Sequence, residues 1–430
     1  MAQSLLVAVL LTSALSLLHA VGQEPVSADK PSQAGTAQTT GPNGRVAARA
    51  FFPMAVYVSV RPPAEAAGAG ENAVAAYCHD MAKTLRDMGF NTLCHGFSEE
   101  NGMGPALLRT ARDVGMKSIV QPTSLVELVI GKKTGSADDV RAEVRKVAAA
   151  IAGYDNVIAC ILHADPVDIA WLDTWKVLGP AFVAETGGLP ALTSYWNAYD
   201  LKRFNDVAPV GAYQFFAYPF NNSRRDDPLA GDKVMAAPNP DEVRRALPDL
   251  PAWPYIQCMR VGKDLYMPSA SEVEALCYLC LAHGARGLVF YNYSYAPPDS
   301  EAEGGMSDAQ GRPAPMLREL SRALPDIAKI GTVLLDCTIV DGIVRCPGKG
   351  DAAYYENNRG DRYLLVASWN VKRPATLKVV FEAARVCPKS LEDVLTGEKI
   401  ACPGAAGKSV TVSVTLPAIR GRLFKVTTAD

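Results

Sequence analysis

The chain has 430 residues, enough for two or three domains with ample cores. Apolar residues make up 49% and charged residues 20%, the balance of a soluble globular protein. The net charge of -2 gives no reason to expect a nucleic-acid partner or an anionic membrane surface.

Leu5 to Leu18 is almost wholly apolar, the length of a signal-peptide core and short for a membrane span. Ala20 is small enough to precede a cleavage site, so residues 1–20 read as a signal peptide. The expected location is secreted or periplasmic, with no membrane role beyond export. Residues 21–47 are rich in Gln, Ser, Thr, Gly, Ala and Pro and read as a flexible leader.

From residue 51 onward short apolar runs alternate with amphipathic stretches, the rhythm of a parallel α/β fold. The predicted strands are Ala55–Val60, Asn91–His95, Lys117–Gln121, Val157–Leu162, Ala191–Tyr195, Val210–Phe216, Trp253–Cys258 and Gly287–Tyr291. Helices are expected over Asn72–Met88, Pro105–Val114, Ala137–Ile151, Asp168–Leu178, Pro240–Ala246 and Ser271–Ala282. The last begins Ser-x-x-Glu, a capping box on Ser271 and Glu274. Eight strands with intervening helices predict a (β/α)8 TIM barrel over residues 48–330. A doubly wound sheet is disfavoured, because Val58-Ser-Val-Arg-Pro-Pro63 offers no glycine-rich phosphate loop.

Leu317–Ile330 reads as a closing helix. Beyond Gly331 the runs become short, alternating and β-branched: Thr332–Val340, Ala352–Glu356, Tyr363–Trp369, Thr376–Phe381, Ser409–Leu416 and Arg422–Val426. They predict a C-terminal antiparallel β-sandwich over 331–430. Gly404-Ala-Ala-Gly-Lys-Ser409 resembles part of a phosphate loop, but it sits between strands and has the wrong spacing.

Ten cysteines are present, none with zinc-ribbon spacing. Cys277 and Cys280 lie on an apolar helix and read as core. In an exported chain Cys337, Cys346, Cys387 and Cys402 are disulfide candidates, with Cys387–Cys402 the first choice.

Chemistry should gather where barrel strands end. Asn156-Val-Ile-Ala-Cys-Ile-Leu-His-Ala-Asp-Pro166 runs apolar and then presents His163 and Asp165. Later segments read "VGAYQFFAYPF", "PAWPYIQCM" and "MPSASEVEALCYLCLAHGARGLVFYNYSY". In this order they resemble the strand-4, strand-6, strand-7 and strand-8 blocks of clan A (β/α)8-barrel glycoside hydrolases with a C-terminal β-sandwich. The likeness spans about residues 50–430, and the last block is the most specific. It implies a divergent glycoside hydrolase-like protein acting on an extracellular or periplasmic polysaccharide or oligosaccharide, without a cofactor.

Two departures stand out. Asp165 occupies the acid position where the family has Glu. Gln257 stands in the seventh-strand block where the nucleophile would be sought, and an amide can neither attack nor accept a proton at neutral pH. Glycosidic hydrolysis normally needs two carboxyl groups. Asp165 is the candidate general acid, or alternatively a helix cap or ion-pair partner. Asp264 is the best placed second carboxylate, ahead of Glu99, Glu100 and Asp299, which read as solvated loop charges. Glu185 precedes the fifth strand and faces the other end.

His95, His163, Tyr195, Trp196, Tyr218, Gln257, Tyr291 and Tyr293 are candidates for binding sugar rings and hydroxyls. Some of the aromatics can equally close the barrel core, and the histidines can be hydrogen-bonded pocket walls. Tyr291, Tyr293 and Tyr295 should share one face by alternation. No histidine spacing supports a metal. His283 falls at the bottom of the eighth strand and reads as structural. The rival function is carbohydrate binding without catalysis on the same scaffold.

Overall fold

The computed structural model describes residues 51–58, 70–98, 103–129, 136–163, 171–195, 212–217, 241, 244–245, 251–261, 267–295, 302–348, 350–368, 373–382, 384–403, 409–417 and 420–428. Eight parallel strands close into a barrel: β1 (Met54–Val58), β2 (Thr92–Phe97), β3 (Lys117–Pro122), β4 (Val157–His163), β5 (Ala191–Tyr195), β6 (Ala212–Ala217), β7 (Ala252–Gln257) and β9 (Leu288–Tyr291). The ring closes where β9 pairs with β1, Ala55 opposite Val289. A short ribbon of β8 (Arg260–Val261) and β10 (Ala302–Glu303) follows β7 and β9 in the loops.

Helices α1 (Glu71–Asp87), α2 (Met103–Asp113), α3 (Thr123–Val129), α4 (Ala137–Ile151), α5 (Trp171–Glu185) and α6 (Ala270–Ala282) belong to the barrel. Alternation along each strand sorts the core into two layers. Ala55, Cys94, Ile119, Ala159, Ile161, Leu192, Trp253, Tyr255 and Val289 fill the interior. Val56, Leu93, Val120, Cys160, Ile256 and Phe290 point outward beneath the helices.

After α7 (Pro315–Leu320) and α8 (Leu324–Leu334) come two antiparallel sheets. One orders β11 (Cys337–Ile339), β13 (Gly350–Asn357), β14 (Arg362–Ser368), β19 (Gly421–Thr428), β16 (Pro388–Asp393) and β17 (Lys399–Ala401). The other holds β12 (Val344–Arg345), β15 (Ala375–Glu382) and β18 (Ser409–Leu416). β18 reads strictly exposed–buried, the pattern of a strand with one wet face.

Three expectations need correction. The strand expected over Thr332–Val340 begins only at Cys337, because α8 runs through Gly331 to Leu334. A side chain at Gly331 would collide with the Phe52 ring at 2.4 Å, so close helix packing overrides the β-branched local preference. The capping box sits two residues earlier than expected: Ser269 Oγ accepts from the Glu272 amide, and Glu272 Oε2 accepts from the Ser269 amide at 2.7 Å. All ten cysteines are free thiols. The β16–β17 register sets Cys402 against Lys389, whose carbonyl accepts the Cys402 amide at 2.9 Å, so Cys387 lies two residues out of step.

Helix α6 joins the two domains. Eleven of its residues are buried, on every side of the helix. One side packs on the barrel and the other on β13, β14 and β19. Tyr278 and Leu281 share one core cluster with Ala353, Tyr355, Leu365, Ala367 and Leu423 of the sandwich. The Tyr355 hydroxyl donates to the Leu281 carbonyl. The Arg286 guanidinium donates to the carbonyls of Leu334, Leu335 and Cys337, tying the start of the sandwich to the barrel floor.

Gly421 of the sandwich lies directly against Tyr278 of α6. A Cβ there would lie 2.5 Å from Tyr278 Cδ1. Gly421→Val is therefore expected to destabilise the chain by about 1–3 kcal/mol through overpacking. Chemical denaturation is the check. An unchanged midpoint would mean that the seam is looser than described.

Candidate active site at the barrel mouth

The C-terminal ends of the strands carry the last inward side chains before the loops. On β1 this is Tyr57, two residues after Ala55. On β3 it is Gln121, two after Ile119. On β7 it is Gln257, two after Tyr255. On β9 it is Tyr291, two after Val289. These four form a polar, aromatic floor above the apolar interior.

The Tyr57 hydroxyl donates to Gln121 Oε1 at 2.8 Å. The Tyr57 and Tyr291 rings are tilted with centroids 4.8 Å apart. Tyr255 meets Tyr291 edge-on at 5.5 Å from the layer below. Gln257 pairs in register with Tyr291, and its Nε2 donates to the Met259 carbonyl at 2.7 Å. The Cys258 amide donates to the Tyr291 carbonyl at 2.6 Å, holding the β7 and β9 ends together. Phenols and amides offer donors and acceptors without fixed charge at neutral pH.

Not every expected residue belongs to this floor. His95 lies on β2 between Leu93 and Phe97, which face outward, while Cys94 faces in. Its register partners Val58 and Val120 are also on the outer side. His95 is fully buried, and its Nδ1 lies 2.9 Å from the Gly96 carbonyl. That contact requires the proton on Nδ1, which leaves Nε2 bare and without a partner. Burial lowers its pKa to about 4, against a smaller upward pull from the Gly96 contact. His95 is thus a neutral core residue and not part of the mouth.

Tyr293 is likewise corrected. β9 ends at Tyr291, so the alternation does not carry on to residue 293. Tyr293 is 1% exposed, and its hydroxyl donates to the Gly311 carbonyl at 2.8 Å. Burial pushes that phenol's pKa up. It supports the loop after β9 and offers nothing to a ligand. Tyr295 remains on the surface.

His163 ends β4 and Tyr195 ends β5, at the C-terminal end of the barrel. Asp165, Trp196, Tyr218 and Asp264 lie outside the described residues, as do Glu99, Glu100, Asp299 and residues 1–50. Among the described residues no cluster of three His, Cys, Asp or Glu side chains has metal-site geometry. No described helix is long and apolar enough to cross a membrane.

The strand-end reading missed Tyr57 and Gln121. The signal was there: Gln121 is a lone polar residue closing Ser-Ile-Val, and Tyr57 shares its face with Ala55.

No protein-family model matches the chain, and no curated protein matches it. Solved structures do. The β-galactosidase of Bacillus circulans sp. alkalophilus superposes with a TM-score of 0.59 at 9% identity, over 87% of this chain and 99% of that one. The chain has a glycoside hydrolase-like fold of (β/α)8 barrel and antiparallel sheets. A glycoside hydrolase family 5 protein of Bacteroides vulgatus gives 0.55 at 12% identity, over 88% of this chain and 89% of the other. A putative α-galactosidase of Bacteroides fragilis gives 0.55 at 12% identity, over 88% and 80%. The likeness in fold thus extends through both barrel and sandwich.

The depressed pKa of His95 has a direct readout. Its neutral form is favoured in the fold, so its contribution to stability is lost as pH falls from its ordinary 6.5 towards about 4. Imidazole NMR at pH 5.5 should show His95 as the neutral Nδ1–H tautomer. A charged ring at that pH would place it in a wetter environment than the outer barrel core.

Proposed function

We propose that the barrel mouth binds a saccharide and that the protein is a divergent glycoside hydrolase, with Asp165 as general acid. The observation that carries this reading is the uncharged floor of Tyr57, Gln121, Gln257 and Tyr291 on a glycoside hydrolase-like barrel. An aromatic face suits the C–H face of a sugar ring, and side-chain amides suit its hydroxyls. The neighbours in fold are a β-galactosidase, a family 5 glycoside hydrolase and a putative α-galactosidase, which supports a carbohydrate as ligand.

Asp165 follows the last residue of β4 by two positions in the sequence, and barrel enzymes draw their catalytic residues from strand ends. It would protonate the leaving oxygen, and burial by a bound sugar would raise its pKa for that task. Asp264, which follows β7 and β8 in the sequence, is the proposed partner, activating water or attacking the anomeric carbon. The apolar Leu5–Leu18 segment supports action outside the cytoplasm, on a periplasmic or extracellular glycan.

Gln257 favours a second reading. It takes the inward end of β7, where an amide cannot serve as nucleophile. Recognition of sugar without hydrolysis fits that position equally well.

Release of reducing sugar from a glycan panel, measured beside glycan-array binding, separates the two. Hydrolysis predicts turnover by the wild type and a loss of about 100-fold or more in Asp165→Asn. Binding with no turnover supports the second reading. Equal turnover in both proteins removes Asp165 from the mechanism, and neither binding nor turnover removes the saccharide.

A further inference from the structure

Two charged clusters at the seam between barrel and sandwich lie outside the mouth, and nothing in the proposed reaction uses them. The first is centred on His283, the residue that caps α6. Its Nδ1 lies 2.7 Å from Asp241 Oδ2, on the barrel side. Its Nε2 lies 3.3 Å from Asp351 Oδ2, in β13 of the sandwich. Arg244 reinforces the bridge. Its Nη2 donates to Asp241 Oδ1 at 3.1 Å, while Nη1 and Nη2 grip both oxygens of Asp341 in the sandwich at 2.9 and 3.0 Å. Arg245 stands 3.6 Å from Asp241 on the outer side.

The second cluster is centred on Glu274, in α6 about two and a half turns before His283. Its side chain is 15% exposed, and Arg420, just before β19 of the sandwich, comes within 3.7 Å. Arg420 is shared with Asp326 of α8 at 3.8 Å. Glu319 of α7 adds a further negative charge, and the Cys277 thiol and Tyr278 phenol lie on the same helix. Glu274 Oε1 is buried without a hydrogen-bond partner.

We propose that this seam is a proton-operated clamp: acid holds the sandwich against the barrel through His283 and Glu274, and alkali loosens it.

The geometry at His283 sets the sign. Both ring nitrogens face carboxylates, and only the imidazolium has a proton for each. A neutral ring would turn a lone pair towards either Asp241 or Asp351, opening one side of the bridge. Glu274 acts in the same direction from the opposite chemistry. When ionised it is a buried carboxylate with an unsatisfied oxygen, competing with Asp326 for one arginine; when protonated it carries no charge to desolvate.

The titration of each group agrees. Burial alone would lower the His283 pKa, but the hydrogen bonds and charges of Asp241 and Asp351 outweigh it and raise it to about 9. Its contribution is complete below its ordinary 6.5 and is lost as pH rises through about 9. Burial raises Glu274 to about 7, with Arg420 opposing and Asp326 and Glu319 adding to the rise. The folded chain therefore keeps a proton there that the unfolded chain releases. That contribution is complete below 4.5 and is lost as pH rises through about 7.

The test is thermal unfolding of the full chain from pH 6 to pH 9.5, beside Glu274→Gln, His283→Gln and Asp351→Asn, with hydrogen exchange at the seam. The wild type should lose roughly 3–6 °C in melting temperature across the range. Exchange should rise first in the α6 and β14 amides. Glu274→Gln should remove the part of the fall that ends at about pH 7 and leave the part between pH 6.5 and about 9. His283→Gln should melt low at pH 6 and lose the part of the fall between pH 6.5 and about 9. Should His283→Gln fail to fold, Asp351→Asn, which leaves the ring in place, should shift the upper fall to lower pH. A flat wild-type profile, or falls of equal size in wild type and variants, would overturn the clamp, as would seam exchange that does not change with pH.

Discussion

The constraint on which this architecture depends is that helix α6 has no wet side. Ala270–Ala282 is apolar nearly all round, and a helix of that kind is stable only when it is covered on every face. The barrel covers one face and β13, β14 and β19 cover the other. The sandwich is therefore a structural complement of the barrel, filling the role that solvent plays for the outer helices. Because α6 feeds directly into β9, the packing that docks the sandwich also sets the strand that carries Tyr291 to the mouth.

Polar residues are placed around this helix where they resolve specific conflicts. Ser269 and Glu272 close its first turn and satisfy the orphan amides there. His283 and Arg244 meet sandwich carboxylates at its other end. Arg286 satisfies three carbonyls at the α8–β11 turn, a place where buried backbone would otherwise lack partners. The seam is thus apolar at its centre and charged at its rim, the anatomy of a protein interface formed within one chain.

The eight barrel strands were legible in the sequence because each is a short apolar run bounded by turn residues, and the order of helix and strand leaves few topologies open. The joint between domains was harder to read. Thr332-Val333-Leu334 has the composition of a strand, yet the contact of Gly331 with Phe52 makes it the last turn of a helix. The site was half legible, for a physical reason. Counting to the end of a strand finds Gln257 and Tyr291, but only parity against a known inward neighbour gives the side. His95 is at a strand end and on the wrong face because Cys94 points in. Tyr57 was passed over because Val58-Ser-Val60 prolongs the strand pattern beyond it. Tyr293 shows the opposite error, alternation carried past the end of the strand.

What remains at the mouth is a floor of two phenols and two amides, with the proposed acid two residues beyond β4. The most direct measurement is a crystal structure of the protein soaked with an oligosaccharide retained on a glycan array. The account predicts a sugar ring against Tyr291, with hydroxyls in hydrogen-bond reach of Gln121 and Gln257. Sugar bound on the sandwich, with the mouth empty, would contradict it.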